Sequence, residues 1–311
     1  MRHFLNLKDI STSDLRKIVS DAKKRKSKRK KLNYLEPDKD IPLKGKFLIQ
    51  MFEKPSLRTR LSFYLAIRQL GGGALNLRKD ELHFAEGEES IHDTAKILSN
   101  YGDVFLFRTD SDKKLQEFKK YIKIPIVNGL SPSSHPTQIL SDIFTIEEIK
   151  KKPISKLKIC WIGDCNNVLN SLIEASIKFS FELNIGAPKK YQPNKLILAW
   201  VKKQKNNIKI FENPKKAIKN ADVVFADKFI GLSDKVNKKK KLNDFKGFQV
   251  NLKLMNLAKK NVIFLHCLPA SRGDEVTSEI IDGKKSFVWQ QASNRAHLQK
   301  SILLYCLNKL R

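Results

Sequence analysis

Hydroxyl and guanidinium groups are concentrated in one short segment, Phe52-Glu-Lys-Pro-Ser-Leu-Arg-Thr-Arg60. It follows a buried apolar run and precedes apolar residues at helical spacing, so we place it between a strand and the start of a helix. The N-terminus of a helix offers unpaired amide groups and the positive end of the helix dipole. With Ser56 able to cap the helix and Arg58 adding charge, the segment suits a phosphate. An ordinary turn with surface arginines stays open as the alternative, because the segment lacks a P-loop pattern.

Two further segments carry side chains that could contact a ligand through nitrogen donors. His135-Pro-Thr-Gln138 follows a loop rich in glycine and serine and opens a long helical pattern. Imidazole and amide groups there could be aimed at a ligand, or the histidine could simply belong to a helix start. Arg295 lies in a closing helical segment with Asn294 and His297. The alternative without a function is that Arg295 lies on the surface and forms a salt bridge.

The ends of two predicted strands in the second half of the chain are also polar. Trp161-Ile-Gly-Asp-Cys-Asn-Asn167 ends a strand and precedes a helix, but it lacks the G-x-G-x-x-G pattern of a dinucleotide site. Phe264-Leu-His-Cys-Leu-Pro-Ala270 closes the last strand. A lone cysteine such as Cys267 is usually a small core residue, and sequence alone cannot establish the geometry of a thiol nucleophile.

The elements that must position these motifs alternate between apolar runs of strand length and runs with helical spacing. At 311 residues the chain is long enough for two cores. We predict an α/β fold with two doubly wound parallel-sheet domains joined by interdomain helices, one of them at 138–150. Ligands bind beyond the carboxyl ends of the strands in such folds, which is where the motifs fall. The predicted strands are 46–52, 103–107, 124–127, 158–162, 183–185, 208–210, 223–226 and 262–265, and the predicted helices include 113–121, 168–181, 194–203 and 214–220.

A net charge of +29 would by itself suggest a polyanion partner such as nucleic acid. The distribution of the charge argues against that partner, because lysines occur in nearly every segment. The run 23–31 continues a helical pattern, and we place the run 238–241 in a loop. Neither run is interleaved with the aromatic residues that a single-strand binder uses for stacking. We therefore expect solvated surfaces and no nucleic-acid partner.

The remaining bulk properties predict a cytoplasmic protein. No apolar run reaches the roughly 18 residues needed to span a bilayer, so we expect no membrane association. The first residues lack the pattern of a secretory signal. The four cysteines show no Cys-x-x-Cys spacing, which favours a reduced protein without a metal.

Taken together, in this order and spacing, the motifs resemble the ornithine carbamoyltransferases over essentially the full length of the chain. Gln249-Val-Asn251 adds to the resemblance. Aspartate carbamoyltransferases share a related Ser-x-Arg-Thr-Arg turn but have His-Pro-Leu-Pro where this chain has His266-Cys-Leu-Pro269, which favours a diamine-derived acceptor. The resemblance implies that carbamoyl phosphate and L-ornithine react to L-citrulline and phosphate, in arginine metabolism. It also implies a homotrimer, or a multiple of trimers, that uses no metal or organic cofactor. A carbamoyltransferase for a different amine is the alternative.

The resemblance also implies domains and residue roles. Residues 1–148 would bind carbamoyl phosphate, with the C-terminal helix 293–311 packed back on them, and residues 149–292 would bind ornithine. Arg58, His135, Cys267 and Arg295 would act in catalysis. Carbamoyl phosphate would be held by Ser56, the Leu57 backbone, Arg58, Thr59, His83, Arg108, His135, Gln138 and Arg295. Ornithine would be held by Asn167, Asp227, Gly231, Leu232, Cys267 and the Leu268 backbone.

Three positions depart from the family pattern. Leu57 replaces a threonine, which removes one hydroxyl but keeps the backbone donors. Gly231-Leu-Ser233 aligns with the family's Ser-Met-Gly and lacks its serine, which bears on the choice of acceptor. In the loop 82–90, His83 aligns with a glutamine and one residue is inserted, which bears on contacts between subunits.

Overall fold

The computed structural model describes residues 1–78, 89–231 and 237–310. The predictions for His83, Leu232 and most of the loop 82–90 lie outside the described residues. The chain divides into two compact units, Met1–Phe144 with Ser293–Arg311, and Thr145–Ala292. Each unit contains one parallel sheet with helices, so the predicted α/β class with two parallel-sheet domains is confirmed. None of the helices in the described ranges is both long and apolar enough to cross a bilayer.

The first unit is built on a four-stranded parallel sheet in the order β2-β1-β3-β4. Stacked and edge-on contacts among Phe105, Phe107 and Phe118 fill one face of this sheet, with ring centroids 5.1 to 5.4 Å apart. The elements are α1 (Thr12–Lys28), β1 (Phe47–Phe52), α2 (Arg58–Gln69), β2 (Gly73–Arg78), α3 (Ile91–Tyr101), β3 (Val104–Arg108), α4 (Asp112–Tyr121), β4 (Ile126–Leu130) and the first part of α5 (Pro136–Lys150).

Serine caps explain where three helices of this unit begin. The side chains of Ser11, Ser90 and Ser111 each accept a hydrogen bond from the amide three residues later, at the start of α1, α3 and α4. Each of these helices has an aspartate in its first turn, which the positive end of the helix dipole favours. Local sequence therefore sets the helix boundaries that frame the sheet.

The strand β2 and the helix α3 were not predicted. The glycine run 71–73 follows the end of α2, and its last residue starts β2. Gly71 has φ +90°, and a Cβ on Gly72 would lie 2.6 Å from the Lys46 carbonyl oxygen, so both positions require glycine. The strand that follows is only partly buried, so it lacks a continuous apolar run.

The second unit is built on a five-stranded parallel sheet in the order β7-β6-β5-β8-β9. The chain passes between the units within α5 and again within α12. The elements are the end of α5, β5 (Lys158–Ile162), α6 (Asn167–Phe179), β6 (Glu182–Gly186), α7 (Lys195–Lys202), β7 (Ile208–Phe211), α8 (Pro214–Ile218), β8 (Val223–Ala226), α9 (Lys238–Asp244), α10 (Leu252–Met255), β9 (Ile263–His266), α11 (Ser278–Ile281) and α12 (Val288–Cys306).

The placement of the lysine run 238–241 in a loop was wrong. These residues form the first turn of α9, and the Asn237 side chain caps the helix through the Lys240 amide. Lys238, Lys239 and Lys240 are exposed, whereas Lys241 is only 5% exposed. Helical geometry turns one member of the run inward, which a count of charges does not predict.

Candidate active site

The segment after β1 is anchored by a buried carboxylate. Glu53 accepts hydrogen bonds from Thr109 and from the Asp110 amide, and it pairs with Lys114 of α4. Its backbone amide donates to the Arg108 carbonyl at 3.0 Å. The turn leading to α2 is thereby fixed at the carboxyl end of the sheet, where ligands of parallel α/β folds bind.

The amino end of α2 has no side-chain cap. The N-cap residue is Leu57, and the expectation that Ser56 caps the helix was wrong. Ser56 instead accepts a hydrogen bond from Arg108 Nη1 at 3.4 Å, so two of the predicted phosphate-binding residues lie together. Uncapped amides beside Arg58, the first residue of α2, give this end of the helix the properties of an anion site.

Arg295 is buried within the first unit. It is 2% exposed, so the interpretation as a surface salt bridge was wrong. Its guanidinium donates to Thr59 Oγ1 at 2.7 Å and to the Gln138 side-chain oxygen. The Gln138 amide in turn donates to Asp142 Oδ1 at 2.8 Å. A continuous network therefore joins the starts of α2 and α5 to α12.

His135 lies among three guanidinium groups. Burial, followed by the charges of Arg295, Arg108 and Arg58, holds the pKa of His135 well below its usual range. The imidazole is therefore neutral near pH 7 and can donate or accept one hydrogen bond without adding charge. The structure thus brings together the predicted residues Ser56, Arg58, Thr59, Arg108, His135, Gln138 and Arg295.

The second unit has its own cluster of polar residues at the carboxyl ends of its strands. Asp227 follows β8, and its two carboxylate oxygens accept from Cys267 Sγ at 3.1 Å and from Asn166 Nδ2 at 2.7 Å. Asn166 also caps α6, accepting from the Val168 and Leu169 amides. Asn167, the predicted ornithine-binding residue, is the first residue of α6. This cluster is anionic, in contrast to the cationic one in the first unit.

His266 supports the backbone next to Cys267. Its Nδ1 accepts from the Leu268 amide at 2.9 Å, so Nε2 is the ring nitrogen that carries a proton. Nε2 lies 3.2 Å from Glu275 Oε1, and both side chains are fully buried. Glu275 also accepts from the Ser271 amide at 2.6 Å. His266 and Glu275 thereby fix the backbone that follows Cys267, at Leu268 and at Ser271.

Asp227, His266 and Cys267 together offer a possible set of metal ligands, since their donor atoms lie within 4.8 Å of one another. A metal ion would need the His266 ring to give up its contact with either the Leu268 amide or Glu275. The absence of a metal therefore stays a prediction.

Comparison with known proteins assigns the chain to a family. The aspartate/ornithine carbamoyltransferase carbamoyl-P binding domain matches residues 2–148, and the Asp/Orn binding domain of the same family matches residues 155–306. The chain belongs to the aspartate/ornithine carbamoyltransferase family. Within this family, an ornithine carbamoyltransferase of Rhodopseudomonas palustris is 43% identical over 98% of this chain and 96% of its own length. One of Caldicellulosiruptor saccharolyticus is 42% identical over the whole of both chains.

Solved structures of the family agree with this assignment. The ornithine carbamoyltransferase of Pyrococcus furiosus is similar with a TM-score of 0.91 and 38% identity, covering 97% of this chain and 96% of that one. The anabolic ornithine carbamoyltransferase of Campylobacter jejuni has a TM-score of 0.91 and 35% identity, with coverage of 99% and 100%. The predicted family and fold are confirmed.

Sequence reasoning missed several supporting residues of this carbamoyltransferase. Asp142 could have been found, because it lies four residues after Gln138 on the same helix face. Asn166 occupies a recognisable helix-cap position, but its bond to Asp227 spans 61 residues of sequence. No local signal pairs His266 with Glu275 or Lys241 with Asp164.

Proposed function

We propose that this chain is an ornithine carbamoyltransferase, which converts carbamoyl phosphate and L-ornithine to L-citrulline and phosphate. The observation that carries the proposal is the contrast between the two clusters. The first gathers three guanidinium groups around a neutral histidine, and the second presents the Asp227 carboxylate beside the Cys267 thiol. A cationic cluster suits the phosphate dianion, and an anionic one suits an amino acid with two amino groups.

Binding of carbamoyl phosphate is assigned to the first unit. The amides at the start of α2, with Ser56, Arg58, Thr59 and Arg108, would hold the phosphate oxygens. His135, Gln138 and Arg295 would contact the carbamoyl group, with the Thr59–Arg295–Gln138 network setting their orientation. Donors fixed around a carbonyl oxygen stabilise the charge that develops there as a nucleophile adds.

Binding of ornithine is assigned to the second unit, through Asn167, Asp227, Cys267 and the Leu268 backbone, with Gly231 and Leu232 nearby in sequence. The side-chain amine of ornithine resembles that of lysine, so presenting it neutral near pH 7.5 costs about 4 kcal/mol unless the site helps. The neutral amine forms a bond to the carbonyl carbon, and the bond from that carbon to the phosphate oxygen then breaks. The proton lost by the amine goes to the leaving phosphate or to Cys267. Positioning of the two substrates supplies much of the remaining acceleration, and no organic cofactor is needed.

We also propose that the protein is a cytoplasmic homotrimer that acts in arginine biosynthesis. Leu57, Leu61 and Tyr64 recur on one face of α2 and are 66%, 58% and 39% exposed. An apolar stripe on an exposed helix is typical of a surface that another subunit covers. A second copy of the chain against α2 would support the trimer.

The test is citrulline formation from carbamoyl phosphate and L-ornithine, with putrescine, lysine and N-acetylornithine as competing acceptors. Strong preference for ornithine would support the proposal and show that Gly231-Leu-Ser233 substitutes for the usual loop. Turnover of a different amine, with ornithine inert, would replace it by the alternative acceptor while retaining the carbamoyl phosphate site. Retention of the protein on nucleic acid at physiological salt, without any transferase activity, would contradict both.

A further inference from the structure

Lys241 is the buried member of the lysine run 238–241. Its side chain is 6% exposed, and its Nζ lies 2.7 Å from Asp164 Oδ2, whose side chain is 17% exposed. The same Nζ lies 5.2 Å from the centroid of the Tyr191 ring. Lys241 therefore makes an ion pair and a cation–π contact, both shielded from solvent.

Asp164 belongs to the turn that presents Asn166. Its carbonyl oxygen accepts from Trp161 Nε1 at 3.1 Å, and its carboxylate accepts from Lys241. Two residues later, Asn166 bonds to Asp227, which also accepts from Cys267. A single short turn thus joins the Lys241 ammonium to the carboxylate assigned to ornithine.

Aromatic packing fixes α9 against the same turn. Tyr191 contacts Phe245 at a centroid distance of 4.7 Å, and Phe245 stacks on Phe229 at 4.4 Å. The Tyr191 hydroxyl donates to Asp244 at 2.8 Å, and the Tyr191 carbonyl accepts from the Cys165 amide. Phe229 lies two residues after Asp227. Lys241 adds a buried ion pair to the aromatic contacts that join α9 to the segments carrying Asp164 and Asp227.

We propose that Lys241 is a positioning residue for the amino-acid acceptor, acting through Asp164 to hold the 163–167 turn and, with it, Asn166 and Asp227. This inference depends on the proposed function, because it assigns the Asp227 cluster to ornithine. Lys241 itself does not touch substrate. Replacing it removes the Lys241 ion pair from the partly buried Asp164 carboxylate, which costs more than loss of an exposed charge.

The test compares Lys241→Met with Lys240→Met, which removes an equal charge from the exposed neighbour in the same helix. We expect Lys241→Met to raise the KM for ornithine about tenfold, equivalent to ~1.4 kcal/mol of binding free energy. The dissociation constant of carbamoyl phosphate should stay unchanged, and Lys240→Met should match the wild type. Lys241→Arg should restore the KM, because a guanidinium can pair with Asp164 and stack on Tyr191.

A second variant distinguishes loss of the Lys241–Asp164 ion pair from a general folding defect. Asp164→Asn preserves shape and removes only the charge, so it should raise the same KM, and the double variant with Lys241→Met should be no worse than the poorer single variant. Equal ornithine KM values for Lys241→Met and Lys240→Met would overturn this inference alone. So would a parallel loss of carbamoyl phosphate binding, which would indicate general unfolding. Wild-type protein that forms no citrulline would overturn the proposed function as well.

Discussion

Replacing Arg58 by glycine should nearly abolish turnover while leaving the fold intact. Arg58 is the first residue of α2, beside uncapped amides, and its charge contributes to the lowered pKa of His135. If its guanidinium makes two charge-assisted hydrogen bonds to phosphate at ~1.5 to 3 kcal/mol each, the loss is about 3 to 6 kcal/mol. This corresponds to a fall in kcat/KM of roughly 10²- to 10⁴-fold.

The stability of the variant should change much less. Glycine in a helix costs about 1 kcal/mol, but removing a cation from the positive end of the helix dipole returns about 0.3 to 1 kcal/mol. Urea unfolding should therefore give nearly the wild-type free energy, while the citrulline assay and titration with carbamoyl phosphate show the loss. Arg60→Gly, at an exposed position in the same turn of α2, is the matched control. Comparable activity in the Arg58 and Arg60 variants would refute the assignment of the anion site.

Three other predictions test separate parts of the molecule. Asp227→Asn, which keeps an acceptor for the Cys267 thiol but removes the charge, should raise the KM for ornithine and leave carbamoyl phosphate binding unchanged; weaker binding of both substrates would contradict the division of roles. His297 has its pKa lowered from 6.5 to about 4, chiefly by burial, so the unfolded chain takes up a proton that the folded chain does not. Stability should fall as the pH drops from 6.5 towards 4, with His297 contributing up to ~3 kcal/mol of the loss beside the buried His135. His297→Gln should reduce this slope in urea titrations, and an unchanged slope would contradict the prediction. Leu61→Lys places a charge in the exposed apolar stripe of α2 and should shift sedimentation towards monomers. Lys203→Met changes the charge at an exposed position outside α2 and should leave sedimentation unchanged. An unchanged assembly of the Leu61→Lys variant would exclude this face from the interface.

Strands of the two sheets were largely predictable because both faces are covered. A strand such as β5, buried along nearly its whole length, is a continuous apolar run that needs no partner to be recognised. The strand β2 lies at the edge of its sheet and is only partly buried, so its sequence resembles a loop. Burial of both faces, which the sequence records locally, explains why β5 was predicted and β2 was missed. The edge strand β7 is also only partly buried, and it was predicted because its apolar residues Ile208 and Ile210 alternate with Lys209.

Candidate site residues could be proposed from the sequence where they lie next to a strand end or a helix start, but not the supporting contacts that join them to distant partners. Ser56, His135 and Cys267 stand in recognisable local contexts, and their motifs carry the family resemblance. The supporting contacts from Arg295 to Thr59 and from Lys241 to Asp164 span 236 and 77 residues. Such pairs are products of the tertiary fold, and neither residue type is unusual in its own segment.

The lysines that give the chain its high net charge also show that local sequence does not predict tertiary contacts. A net charge of +29 is a property of the whole chain, but the role of each lysine depends on where its ammonium group lies in the folded protein. Lys240 and Lys241 are adjacent in sequence and identical in type, yet one is exposed and the other is buried against Asp164 and Tyr191. A solvated charge contributes mainly to solubility and long-range attraction, and salt screens it. A buried and paired charge instead fixes local geometry, so single substitutions at these two neighbouring positions should separate the two roles.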